Sequence, residues 1–389
     1  MTRPSHRSPR VRHPLRARLA RLAALVVLLG GLAAVTTAAQ AAAPVNTAPP
    51  TVSGTPAVDG RLVASPGAWS PSPSGRPLGY AYRWLRDGDP IRGAVERSYR
   101  PGVADQGARL TVRVTATDPS DPGAGSGVAE SAPTARVQRG TMTNRRPPVV
   151  IGEQRYERTL RVTAGRWSTT PTRLRYQWLR AGKPIRGATG ARYRLGVDDV
   201  GQRVRVLVTA TAPGYTRGTA RSARTGPVDH RVGVRRVATY SIVTRGRIGV
   251  SVREFARQAA ETFADPRGWR GGGVAFRRVP RGGGFTLVLA EASTVPSFSS
   301  GCSAEYSCRV GRFVIINQTR WRLATAPWRA AGGSLREYRH MVVNHEVGHW
   351  LGRGHAGCSG RGRLAPVMMQ QSKGLDGCRF NPWPLRSEY

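Results

Sequence analysis

Lysine is nearly missing from this chain of 389 residues: among 61 basic residues, only Lys183 and Lys373 are lysines. Acids are scarce too, at 22, which leaves a formal net charge of +39. The arginine bias beside abundant Ala, Gly and Pro points to a GC-rich coding sequence and carries no functional message. The charge itself would attract polyanions. No zinc-finger spacing, helix-turn-helix or aromatic RNA-binding signature accompanies it, which argues against specific nucleic-acid recognition. No cysteine precedes Cys302, so no disulfide can staple the earlier part of the chain. No apolar run reaches the roughly 20 residues that comfortably span a bilayer, and the C-terminus shows neither an apolar tail nor a sorting signal.

The longest apolar run, residues 22–35, follows a segment that holds Arg3, Arg7, Arg10, Arg12, Arg16, Arg18 and Arg21 with no acid. A positive n-region, a short h-region and small residues at Ala39-Gln40-Ala41 and Ala41-Ala42-Ala43 read as a signal peptide over residues 1–43. The expected location is therefore secreted or cell-surface. An uncleaved anchor is the alternative, and the one case in which a membrane would be a partner.

From about Pro49 to Asp229 the chain repeats itself. YRWLRDGDPIRGA from Tyr82 recurs as YQWLRAGKPIRGA from Tyr176, and the same offset carries Tyr99 to Tyr193 and Asp105 to Asp199. LTVRVTAT from Leu110 maps onto VRVLVTAT from Val204. Alternating β-branched residues between Gly, Pro and Asp turns predict short antiparallel strands in a β-sandwich. The two units, residues 44–140 and 147–229, resemble bacterial immunoglobulin-like repeats without their own disulfides. Trp69, Trp84, Trp167 and Trp178 could form a glycan or peptide platform, but tryptophans at equivalent strand positions fit core filling better. Arg113 and Arg205 should face solvent, where they could meet anionic cell-envelope polymers. TMTNRRPP at residues 141–148 reads as a linker, and residues 230–236 lead into a last domain, 235–389.

That domain carries the chemistry, in NHEVGHWLGRGH at residues 344–355. Positions i and i+4 share one helical face, so His345 and His349 can bind one metal ion with no loop to order. Glu346 lies where a carboxylate could take a proton from metal-bound water. Gly352 allows the chain to leave the helix and turn back, which makes His355 a third ligand and leaves a fourth position open. Three of only seven histidines stand in this pattern. His340, five residues before His345, falls about 140° around the helix from the metal face, and reads as a solvated or packing residue.

Upstream, a strand is expected over residues 238–243, a helix capped by Ser251 and Glu254 and stopped by Pro266, and strands over residues 274–279 and 285–290. Residues 309–317, RVGRFVIIN, read as a further strand, at the sheet edge or in its interior. Ser334 and Glu337 form a capping box opening the metal helix, whose Leu335, Tyr338, Val342, His345 and His349 share one face.

HEVGHWLGRGH resembles the H-E-x-x-H-x-x-G-x-x-H signature of the metzincin zinc peptidases. With RGW, INxxRW, APVM and NPWP, the last two-fifths of the chain look like an uncharacterised secreted actinobacterial zincin-like domain. The resemblance implies an α+β zincin-like (metzincin) catalytic domain after two all-β immunoglobulin-like sandwiches. It implies one Zn2+ on His345, His349 and His355, and Glu346 as general base. It also implies a methionine turn at Met368, with Met369 the other choice. Gln370 stands where many of that family have Tyr. By the same resemblance an extended substrate would pair with residues 309–317.

Cys302, Cys308, Cys358 and Cys378 form an even set that favours disulfides, with three possible connectivities. Zinc binding by these thiols is the alternative, though the spacings are not those of a Cys-x-x-Cys site. Cys302 with Cys308 and Cys358 with Cys378 is the favoured pairing, because the second bridge would bracket the methionine turn. The expected activity is that of a zinc metalloendopeptidase acting on protein or peptide substrates, such as the stem peptides of peptidoglycan. The competing reading is a cell-surface or cell-wall binding protein with a structural or residual zinc site.

Overall fold

The computed structural model describes residues 42–72 and 75–389. The leader expected over residues 1–43 lies, up to residue 41, outside the described residues. Among the described residues no helix is long and apolar enough to cross a membrane.

Each repeat is a two-sheet sandwich. In the first, Thr51–Gly54, Leu62–Ser65 and Ser98–Tyr99 face a four-stranded sheet built on Gly79–Arg86 and Leu110–Thr117. In the second, Val150–Ile151, Thr159–Val162 and Arg192–Arg194 face a sheet built on Arg173–Arg180 and Val204–Thr211. Leu110, Val112, Val114 and Ala116 are fully buried at alternate positions, as are Val204, Val206, Val208 and Ala210. This period of two is what puts one strand face into a core. Trp84 and Trp178 fill the two cores, each donating its indole N–H to a backbone carbonyl, of Glu96 and Gly190 respectively. Trp69 and Trp167 are half-buried against the same cores, so all four tryptophans pack and none forms an exposed platform.

The recurring Tyr and Asp belong to one buried device. Asp105 accepts from Arg86, from the Tyr99 hydroxyl at 2.8 Å and from the Gly102 amide at 2.7 Å. Asp199 accepts likewise from Arg180, Tyr193 and Gly196. A buried carboxylate has to be paired to be tolerated, which is why these residues recur together. Burial, helped by the carboxylate, pushes both tyrosines up to about 12. Arg113 faces solvent and pairs with Glu130, whereas Arg205 is only half-exposed.

Residues 141–148 are not a linker. Gly140–Thr141 pairs in parallel with Tyr215–Thr216, and Asn144–Arg146 pairs with Arg166–Trp167. The Asn144 amide binds the carbonyls of Arg146 and Arg166, as Asn46 binds those of Ala48 and Ala68. A side-chain amide thus closes a strand whose Pro147 and Pro148 suggested a loop.

The last unit is a mixed five-stranded sheet with helices. Its strands run, in spatial order, Val274–Arg278, Arg236–Arg245, Phe285–Ala290, Phe313–Asn317 and Cys308–Val310, the last antiparallel to its neighbour. Helices α1 (Val252–Ala264), α2 (Gln318–Leu323), α3 (Ala326–Ala330) and α4 (Leu335–Trp350) follow in chain order. Phe285, Leu287, Leu289, Val314 and Ile316 point into the core shared with the helices, while Val288 and Ile315 point to a smaller cluster holding Cys302. Ser251 caps α1 through the Glu254 amide, but the Glu254 carboxylate binds Gln258 and Arg339 and does not complete the expected box. Residues 309–317 split at a tight turn into two strands. Phe313–Asn317 is interior, and only the short Cys308–Val310 has a free edge.

Candidate metal centre

The chain enters α4 through a complete capping box: Ser334 Oγ accepts from the Glu337 amide, and the Glu337 carboxylate accepts from the Ser334 amide. The buried stripe begins at Tyr338, because Leu335 at the first turn is exposed. Tyr338 and Val342 lie in the core, and the same face carries on to His345 and His349. The helix ends as its glycine dictates. Gly352 has φ +86°, its amide donates to the His349 carbonyl at 3.1 Å, and the Arg353 amide donates to the Gly348 carbonyl at 2.9 Å. This double closure is the Schellman arrangement, which needs a left-handed residue just past the cap.

The turn returns His355 to the helix. His349 Nε2 lies 3.1 Å from His345 Nε2 and 3.1 Å from His355 Nε2. His345 Nδ1 sits 2.8 Å from the Val367 carbonyl, and His349 Nδ1 sits 2.8 Å from the Arg353 carbonyl. A carbonyl only accepts, so each of these Nδ1 atoms carries the proton and each Nε2 presents a lone pair. Lone pairs converging at that distance repel unless a cation lies between them. Two ligands at the usual zinc–nitrogen distance in a tetrahedron stand about 3.3 Å apart, so the three residues fit a metal ion. Three neutral imidazoles suit zinc, copper, iron or nickel. Burial, chiefly, holds His345 down to about 3 and lowers His349 and His355 as well, with Lys373 adding to the effect on His355. All three are therefore neutral, as ligands must be, near neutral pH.

Met368 is buried below them. A Cβ on Gly348 would stand 2.3 Å from the Met368 sulfur and 2.7 Å from Trp269 Cζ2, so the glycine before His349 makes room for the methionine. Met369 points elsewhere, into a cluster with Ala365 and Cys378. Gly348→Ala tests this packing. Helix propensity alone favours Ala by about 1 kcal/mol, but overpacking a filled site costs about 1–3 kcal/mol. We expect a lower unfolding midpoint and weaker metal retention against a chelator; a midpoint above that of the unaltered chain would show that Met368 moves aside freely.

Glu346 is buried and lines the same cavity as the histidines, a cleft of about 720 Å3. Burial raises its carboxyl to about 8, against a lowering influence from Arg309. One wall is the segment 301–309, including the free edge at Cys308 and Arg309; the other is Gln370 to Lys373. Arg309 donates to the His349 carbonyl at 2.8 Å and ties the edge strand to the helix end. Lys373 stands 5.5 Å over the Tyr306 ring, where the two walls meet. Both disulfides form, Cys302 with Cys308 in one wall and Cys358 with Cys378 around the loop that carries Met368. No cysteine is free to bind metal. His340 stays out of the site, packed on Trp383 with its Nδ1 against the Thr262 hydroxyl at 2.9 Å.

Several contributors were not foreseen from sequence. The carbonyls of Val367 and Arg353 set the tautomers, and a buried amide pair, Gln371 with Asn381, ties residues 365–366 to the NPWP segment. Backbone carbonyls leave no trace in a motif, whereas NPWP was visible without a role.

Residues 215–383 match the model of a family described as a protein of unknown function (DUF3152). No curated protein matches the chain. Among solved structures, the full ectodomain (Ig1–Ig3) of mouse nectin-like molecule 4 is similar at 18% identity, over 45% of this chain and 63% of that one, with a TM-score of 0.18. The FN1–FN3 domains of chicken CNTN1 are similar at 15% identity, over 47% and 64%, also with a TM-score of 0.18. This chain thus spans less than two thirds of either.

Proposed function

We propose that this chain is a secreted zinc metallopeptidase, with two immunoglobulin-like repeats preceding a zincin-like catalytic domain of metzincin type. The observation that carries the reading is Glu346 placed beside three converging Nε2 atoms in a cleft bordered by a free strand edge. His345, His349 and His355 would hold the ion, and zinc bound there would polarise a scissile carbonyl and acidify its water. Glu346 would take the proton of the attacking water and pass it to the departing amine. The cation's charge would draw its carboxyl down from about 8, so that it is ionised when the site is loaded. The free N–H and C=O groups of Cys308–Val310 would hold an extended peptide by its backbone. Two disulfides support an oxidising compartment outside the cytoplasm.

The purified chain should contain about one zinc ion per molecule, and chelation should abolish hydrolysis of an unfolded protein substrate. Absence of zinc, or hydrolysis that survives chelation, would end this reading.

A second reading has one observation in its favour. Arg173, Arg175, Arg205 and Arg221 project from the outer face of the second repeat's larger sheet, where the Arg113–Glu130 pair of the first repeat has no counterpart, since Leu207 and Arg221 face each other instead. That face suits an anionic envelope polymer, and it would carry the biology if the metal site were residual. Equal cell-wall binding by an unaltered chain and a Glu346→Gln chain, both inert on a broad peptide library, would favour it.

A further inference from the structure

We propose that Glu388 is a positioning residue for the metal centre, and that the second repeat anchors the C-terminal segment that carries it; the proposal rests on the metal reading above. Glu388 is buried one residue from the end of the chain. Its carboxylate accepts from the Met368 amide at 2.8 Å, the Val367 amide at 3.0 Å and the Leu385 amide at 2.6 Å. Hydrogen bonds to a carboxylate are the strong ones, and these hold the backbone of Val367 and Met368, two residues whose groups bear on the helix and turn that carry all three ligands. The Val367 carbonyl orients His345. The Met368 side chain fills the space at Gly348, between His345 and His349 along the helix. The Met368 carbonyl accepts from Ala356 at 3.1 Å, the residue after His355.

The segment is fastened from outside the domain. Arg386 donates to Glu157 of the second repeat at 2.6 Å, and Arg231 reaches the same carboxylate while lying 5.0 Å over the Tyr389 ring. Tyr389 rests on bare backbone: a Cβ on Gly272 would stand 2.4 Å from its ring. Glu157 has φ +68°, a conformation that strains any residue with a Cβ and persists only where its surroundings enforce it. The equivalent loop of the first repeat places Asp59 at φ +64°, where it accepts from Tyr215 of the second repeat at 2.6 Å. Each repeat thus uses a strained acid in the same loop to dock the unit that follows, and the second such contact bears on the metal centre.

The test uses the full chain with Glu388→Gln, which keeps the shape but puts an NH2 group where one oxygen accepts. Zinc affinity is read by competition with a chromophoric chelator, ligand geometry by the d–d absorption of bound Co2+, and metal-free stability by thermal unfolding in EDTA. We expect zinc affinity to fall about 10–100-fold, as for outer-shell partners of metal ligands, with altered cobalt bands. Affinity within about twofold of the unaltered chain, or a lower metal-free midpoint with unchanged cobalt bands, overturns the proposal. Should that variant fail to fold, Arg386→Gln decides, since it frees the segment from Glu157 without touching the buried carboxylate. A loss of about threefold or more in zinc affinity supports the proposal and unchanged affinity overturns it. Arg113→Gln, on the first repeat, should change nothing; an equal loss there would reveal a non-specific effect and overturn the proposal. An unaltered chain that takes up neither ion removes the metal reading itself, a result distinct from all of these.

Discussion

Glu346→Gln should retain zinc and lower peptide hydrolysis by about 10²–10⁴-fold, the usual contribution of a positioned general base. Glutamine has nearly the same shape but cannot accept a proton, and His345 and His349 do not depend on Glu346: their outer nitrogens are held by Val367 and Arg353. The same variant should change how the metal-free chain responds to pH. Burial raises the Glu346 carboxyl from 4.5 to about 8 in the folded chain, so between those values the folded state keeps a proton that the unfolded state has lost. Stability must then fall as pH rises through that window. His345 has the opposite sign. Its pKa is lowered from 6.5 to about 3, so its contribution is present above 6.5 and is lost as pH falls towards 3. Thermal unfolding in EDTA from pH 4 upward should show the alkaline decline in the unaltered chain and its removal in Glu346→Gln, with the acid decline unchanged. Full hydrolysis by the variant would assign the base elsewhere.

His355→Ala should empty the metal site while leaving the fold intact. Loss of an outer-shell partner typically weakens metal binding by 10–100-fold, so loss of a direct ligand should exceed about 100-fold. The side chain is exposed and lies beyond the helix, so its removal opens no core cavity, and the capping of α4 by Gly352 does not involve it. Near-ultraviolet circular dichroism should be unchanged in EDTA, while zinc is lost to a chelator that the unaltered chain resists. Full occupancy in His355→Ala would mean that a different group completes the coordination.

Legibility of the site from sequence followed the range of the interactions. His345, Glu346 and His349 could be placed because they are separated by one helical turn, a distance that backbone geometry alone determines. Gly352 could be placed because a left-handed cap excludes most other residues. Met368 over Met369 required tertiary packing, since both have the same chemistry and only one lies beneath Gly348. Whether residues 309–317 lie at the edge or inside the sheet is not legible from sequence, because a strand's order depends on partners elsewhere in the chain; Phe313–Asn317 has neighbours on both sides, and the free edge falls to Cys308–Val310. Asn144–Arg146 reads as a linker in sequence because the Asn144 amide that ties it to Arg166 acts across the sheet.

By itself the sequence determined two sandwich repeats, a capped helix bearing two imidazoles and an acid, a turn aimed at a third, and an even set of cysteines. All of these follow from periodicity, spacing or the conformational freedom of one residue. Tertiary structure alone decided which carbonyls fix the histidine tautomers, which methionine underlies them, where the free strand edge lies, and that Glu388 reaches back to the loop carrying Met368. Most of those contacts join residues about twenty positions apart, and their energies depend on burial and direction, which a linear string does not contain.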